Sequence, residues 1–112
     1  MRKAYRQGDV LVRTSNTKPD NATPVERDEG RVILAYGEVT GHAHALVEKE
    51  VSLYEVVTDG DVEEMRQRFM SVDAEEAQLV HEEHSTAVLP KGGYEVRRQV
   101  QYTPDAYEIV AD

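Results

Sequence analysis

"RVILAYGEVTGHAHALVEKEVSLYEVVTDGD", residues 31–61, holds three apolar, β-branched runs separated by glycine and charge. "RVILAYG", "HAHALVE" and "VSLYEVV" have the length and composition of strands rather than helices. The first run is almost continuously apolar, which predicts a central strand buried on both faces. The "TDGD" that closes the third is a turn signal.

Outward from this block, the same pattern continues. "GDVLVRT" follows a glycine and reads as the first strand, and "NTKPDNATPVERDEG" as a polar, proline-bearing loop. Residues 62–80 are ambiguous, because Val62, Met65, Phe69 and Met70 have helical spacing while "RFMSV" and "AQLVH" resemble short strands. We read two strands around an acidic turn. "TAVLP" then meets "KGG", a strong turn signal, before "YEVRRQVQY" alternates Tyr94, Val96, Arg98, Val100 and Tyr102 with polar partners. The tail turns at Thr103-Pro104 and adds a last short strand. About eight short strands with Gly/Pro turns predict an all-β fold, a small β-barrel or sandwich forming one domain over residues 1–112. A chain of 112 residues can bury a real core without covalent staples.

Composition narrows the function. The formal net charge of -9 argues against nucleic acid, which needs a basic surface. No apolar run is long enough for a secretory signal or a membrane span, so the expectation is a cytoplasmic protein without membrane contact. Without cysteine there is no disulfide and no thiolate metal site. Phosphate-binding glycine motifs and a nucleophile elbow are absent as well. Asp9, Glu26 and Asp28 read as ordinary turn and loop acids.

The four histidines are the informative residues: His42 and His44 in one block, His81 and His84 in another. Residues two apart on a strand share a face at about 6.5–7 Å, so His42 and His44 can converge on one ion. Gly41 allows a bend before them. His81 or His84 supplies a third ligand, and the spacing leaves open which. Glu48 and Glu83 are the nearest carboxylates, able to ligate, orient a histidine or move protons.

Gly37, His42, His44 and Glu48 resemble the first metal-binding motif of the cupins, with a one-residue departure in the glycine spacing. "LPKGGYE" is similar to the start of their second motif, with Glu95 where cupins place a further histidine. This resemblance implies a small barrel or jelly roll. The chain also looks like small proteins of bacteria and their phages that carry a G-E-V-T-G-H-x-H block and an H-x-E-H block, a likeness that implies no activity by itself. The histidine pattern further resembles the zinc site of alpha-type carbonic anhydrases, as a site and not as a fold.

Two functions follow. The first is a small zinc enzyme that activates water for hydration or hydrolysis of a small electrophile, carbonic-anhydrase-like, with Thr40 or Glu83 orienting the water. Iron or manganese held with Glu48 would suit oxygenase or isomerase chemistry instead. The second is a non-catalytic, acidic interaction protein that regulates a host protein, with a structural metal or none. Either leaves a homo-oligomer open.

Overall fold

The computed structural model describes residues 3–37, 41–58, 60, 66–98 and 108–111. Among these residues the chain is built from strands and connections, and no helix is long and apolar enough to cross a membrane. The strands are β1 (Lys3–Gln7), β2 (Val10–Thr14), β3 (Thr23–Pro24), β4 (Val32–Tyr36), β5 (Ala43–Leu46), β6 (Val51–Glu55), β7 (Arg68–Leu79), β8 (Ala87–Arg98) and β9 (Glu108–Ala111). The all-β expectation holds. Seven strands form one sheet in the order β3-β6-β7-β8-β2-β1-β9, and β4 and β5 form a second. Pairing is antiparallel throughout except between β1 and β9. The large sheet ends in β3 and β9, which do not pair, so it is not a closed barrel.

Alternation along the strands makes the core. Tyr5, Val12 and Val96 stand in register on one face of the large sheet, with Leu53, Met70 and Tyr94 in register on the same face two residues along. Val32, Leu34 and Leu46 of the small sheet pack against them in a single buried cluster. An isolated antiparallel bridge between Ala45 and Val80 ties the small sheet to the end of β7.

Four expectations need correction. An earlier strand, β1, precedes the run read as first, and Gly8-Asp9 is a two-residue hairpin loop joining them. Only Gly8 of that pair has positive φ, at 59°, the pattern of a type II′ turn whose twist suits flanking strands. Secondly, β4 is not central: its one partner among the described strands is β5, and Tyr36 is exposed.

Thirdly, the acidic stretch 73–76 is no turn but lies inside β7, and fourthly Lys91-Gly92-Gly93 lies inside β8. The physical reason is shared. Between the pairs Val72–Gly92 and Glu76–Pro90, β7 advances four residues while β8 advances two. Surplus residues on one strand bend the ribbon, and glycine on the other accommodates the bend. Gly92 has φ of 151°, outside the range side-chain-bearing residues favour. Gly93 has a different reason, since a Cβ there would meet the Ser15 carbonyl oxygen at 2.6 Å. Beyond the bend, Ala77, Leu79 and Leu89 join the same core. The reversal between β7 and β8 falls instead at residues 80–86, the segment that carries His81 and His84. The last strand is present as β9; the turn expected at Thr103-Pro104 lies outside the described residues.

Candidate metal centre

Three segments meet at one end of the core: the β1–β2 hairpin tip, the start of β5, and the β7–β8 connection. The Ala45–Val80 bridge is antiparallel, so the next pair along sets His44 opposite His81. Their ring centroids lie 4.3 Å apart. His81 is 4.8 Å from His84 and 5.9 Å from His42, and His44 is 5.8 Å from His84. All four histidines therefore form one cluster, although 37 residues separate His44 from His81 in the chain. Imidazoles sharing a tetrahedral zinc at about 2.0–2.1 Å hold their centroids about 5 Å apart. The observed spacings bracket that value. The donor atoms are another matter: among the described residues, no group of three or more His, Asp or Glu side chains is arranged so that it could hold a metal ion.

His44 is buried, at 3 % exposure, and its setting is fixed by Gln7. Gln7 is fully buried at the end of β1. Its Nε2 donates to the carbonyls of Leu79 at 2.8 Å and Ser85 at 2.9 Å. Those two bonds turn Oε1 towards His44 Nδ1, 2.8 Å away. An amide oxygen can only accept, so Nδ1 carries a proton, and the neutral form of the ring has its lone pair on Nε2. A ligating histidine needs this arrangement, with one nitrogen anchored and the other presented. Asp9 Oδ1 lies 3.6 Å from that Nε2.

The remaining histidines lie nearer the surface. His81 is half-buried, and its Nδ1 accepts from the Glu83 backbone N–H at 3.0 Å. Ligation through His81 Nε2 would move the proton to Nδ1 and forfeit that bond, at a cost of about 1 kcal/mol. His84 is exposed, yet its Nε2 edge faces the hairpin: a Cβ on Gly8 would stand 2.8 Å from it and 3.3 Å from His44 Cε1. Gly8 is thus the one residue type that lets both rings close on the hairpin tip. His42 is partly buried, and its Nδ1 lies 3.1 Å from Glu83 Oε1, within ion-pair range but off hydrogen-bond geometry.

Of the expected carboxylates, only Glu83 is recorded against a histidine. Glu48 Oε2 accepts from the Gln78 backbone N–H at 2.9 Å, which pins β7 rather than a ring. Glu95 accepts from Arg13 and Arg97 on the face of the large sheet opposite Tyr94 and Val96. Burial raises its pKa, but the two arginine hydrogen bonds outweigh that and hold the carboxyl below its usual range. Thr40 lies outside the described residues.

Four participants escape sequence reasoning: Gln7, Gly8, Asp9 and Glu82. Glu82 Oε1 accepts from the Ala43 N–H at 2.9 Å, tying the histidine-bearing connection to the start of β5. That hydrogen bond, then one from its own backbone, holds its carboxyl below the usual range. Gly-Asp between two alternating runs is a two-residue hairpin signal and could have exposed Gly8 and Asp9. Gln7 carries no such signal.

The family described as "Domain of unknown function (DUF8820)" matches residues 6–99. No curated protein and no solved structure matches the chain.

Proposed function

The chain belongs to the DUF8820 family, whose match spans the hairpin tip and both histidine blocks, and we propose that it is a metal-binding protein that holds a divalent first-row ion, zinc first, in its histidine cluster. The carrying observation is the convergence of all four histidines on a ring whose tautomer is already set, His44 held by Gln7. In this reading His44 is the anchor ligand, His84 the second, and His42 or His81 the third. Iron or manganese would fit the same nitrogens with a carboxylate added.

Zinc held by neutral imidazoles lowers the pKa of bound water to about 7, which suits hydration or hydrolysis of a small electrophile. The exposure of His84 and the partial exposure of His42 leave such a centre reachable by a small-molecule substrate. Glu83, beside His42, is placed to exchange protons with solvent, being 57 % exposed. The reading puts the protein in the cytoplasm as a small lyase or hydrolase.

Two measurements test it. Chelator-stripped, tag-free protein should take up about one zinc per chain, and His44→Ala should lose that uptake. Hydration of carbon dioxide and hydrolysis of an activated ester should then depend on the added ion and fall on chelation. Protein that takes up no zinc, nickel or cobalt at micromolar concentration near neutral pH would sink the metal reading. Uptake without chelator-sensitive activity would leave a binding protein and remove the enzyme.

A further inference from the structure

Phe69 pairs with Tyr54 on one side and Glu95 on the other, so the three share the face of the large sheet opposite Met70 and Tyr94. Phe69 is nevertheless buried, at 5 % exposure, although it stands outside the core cluster. The chain that leaves β2 crosses this same face. Gly93 lies on it, two residues from Glu95, and a Cβ there would meet the Ser15 carbonyl oxygen at 2.6 Å. Three residues further on, Lys18 Nζ stands 3.9 Å from the centre of the Tyr54 ring. Between this crossing segment and the sheet lies a cleft of about 250 Å³, to which Ser15, Asn16, Lys18, Tyr54, Phe69 and Ser71 contribute.

We infer that this cleft binds a small aromatic carboxylate, its ring against Phe69 and Tyr54 and its charge on the Lys18 ammonium. The cleft shares no residue with the histidine cluster, and neither site requires the other. Charge selects the anion. The chain carries a formal net charge of -9, so a carboxylate needs a local cation to offset the repulsion. Lys18 supplies it, and among the described residues that line the cleft there is no acid. Its ammonium is held by the Tyr54 ring, not by a carboxylate. A ring face attracts a cation without neutralising it, so the charge stays available to an anion.

The walls set the rest of the ligand. Phe69 and Tyr54, paired across neighbouring strands, offer an aromatic floor that suits a flat ring in offset or edge contact. The roof is tied down at Ser15, whose backbone N–H donates to the Gly93 carbonyl at 2.9 Å and whose Oγ accepts from the Thr17 N–H at 3.3 Å. The Asn16 amide on the same lining can donate to the second carboxylate oxygen. Asp73 accepts from the Ser71 hydroxyl at 3.4 Å, so a negative charge adjoins that side and disfavours a dianion. The volume lies just under the roughly 300–1,000 Å³ of pockets for drug-sized molecules, which fits one ring with a single acid group and excludes a nucleotide.

The test titrates the isotope-labelled full chain with sodium benzoate, and separately with benzyl alcohol as a neutral probe of the same size, following backbone amide shifts by NMR. Chelator is present throughout, so that no bound ion can serve as the carboxylate's partner. The expected result is saturable shifts at Ser15 to Lys18, Tyr54 and Phe69 to Ser71, with a benzoate dissociation constant of about 1 mM. Benzyl alcohol should bind at least about tenfold more weakly. Lys18→Met keeps the length of the side chain and Lys18→Glu reverses its charge. Each should weaken benzoate at least about tenfold and leave benzyl alcohol unchanged, with melting curves verifying that both variants fold. Shifts that are absent, or centred elsewhere on the chain, overturn the assignment. Equal affinity for the two probes, or benzoate binding unaltered by both substitutions, overturns it as well. So does a loss of both probes together in variants that melt earlier, which would trace the effect to folding and not to the Lys18 charge.

Discussion

Gln7 shows how much one buried polar side chain can determine. Its amide bonds two carbonyls and one imidazole, and removing it leaves three polar groups without that partner. An unsatisfied buried group costs about 1–3 kcal/mol, with partial relief where water can enter. Gln7→Leu keeps the approximate size and deletes every bond. It should lower unfolding free energy by about 2–3 kcal/mol in urea titrations. It should also weaken zinc uptake at least about tenfold, because His44 loses the partner that fixes its tautomer. A variant of unchanged stability would mean that the buried network is worth nothing. Unchanged affinity would mean that His44 is not the anchor.

Among elements, the β7–β8 connection decides the site. It is held from both sides, by Gln7 on the Ser85 carbonyl and by Glu82 on the Ala43 amide. The second tie is pH-sensitive with a definite sign. Glu82 has a folded pKa below its ordinary 4.5, so the charged form is favoured by folding. Its contribution is complete above the unfolded value and is lost as pH falls through the folded one. Amide exchange at Ala43 and in residues 80–86 should therefore accelerate, relative to intrinsic rates, as pH drops below about 4.5. Glu82→Gln should flatten that dependence. Protection that stays constant into acid in wild type would show that the carboxylate does not hold the connection. The bend in the same ribbon has a separate source, the mismatch of β7 and β8 around Gly92, and it needs no charge.

For the whole molecule, the histidines join three segments that the core already brings together. Val12, Leu46, Leu79 and Leu89 are fully buried in an apolar core of a size that can sustain a fold. The protein should accordingly fold when stripped of metal and gain stability when metal is returned. Zinc at a hundred times its dissociation constant should add about 2.7 kcal/mol, seen as a concentration-dependent rise in melting temperature. Chelator should reverse the rise, and His44→Ala should abolish it. A metal-free chain without a cooperative transition would instead make the ion part of the core. The same reasoning accounts for the open sheet. Its large apolar face is covered by the β4–β5 pair and by the far half of the β7–β8 ribbon, so closure into a barrel is not required to bury it.

Strand composition, the absence of cysteine and the confinement of histidine were all legible in the sequence, because each depends on residue identity or on neighbours within a few positions. Those features suffice for an all-β fold and for suspecting His42, His44, His81 and His84. The alternation at Tyr94 and Val96 placed their side chains in the core correctly. Pairing was not legible. Lys91-Gly92-Gly93 reads as a turn locally, and only the surplus of residues on β7 opposite it makes it a bend inside a strand. The run at 31–37 is apolar enough for a central strand, yet its position depends on what covers it, which here is the face of another sheet. Gln7 and Asp9 became members of the site for the same reason. Their polarity fits a strand end and a turn equally well in any fold, and only long-range packing brought them against His44, 37 and 35 residues further along the chain.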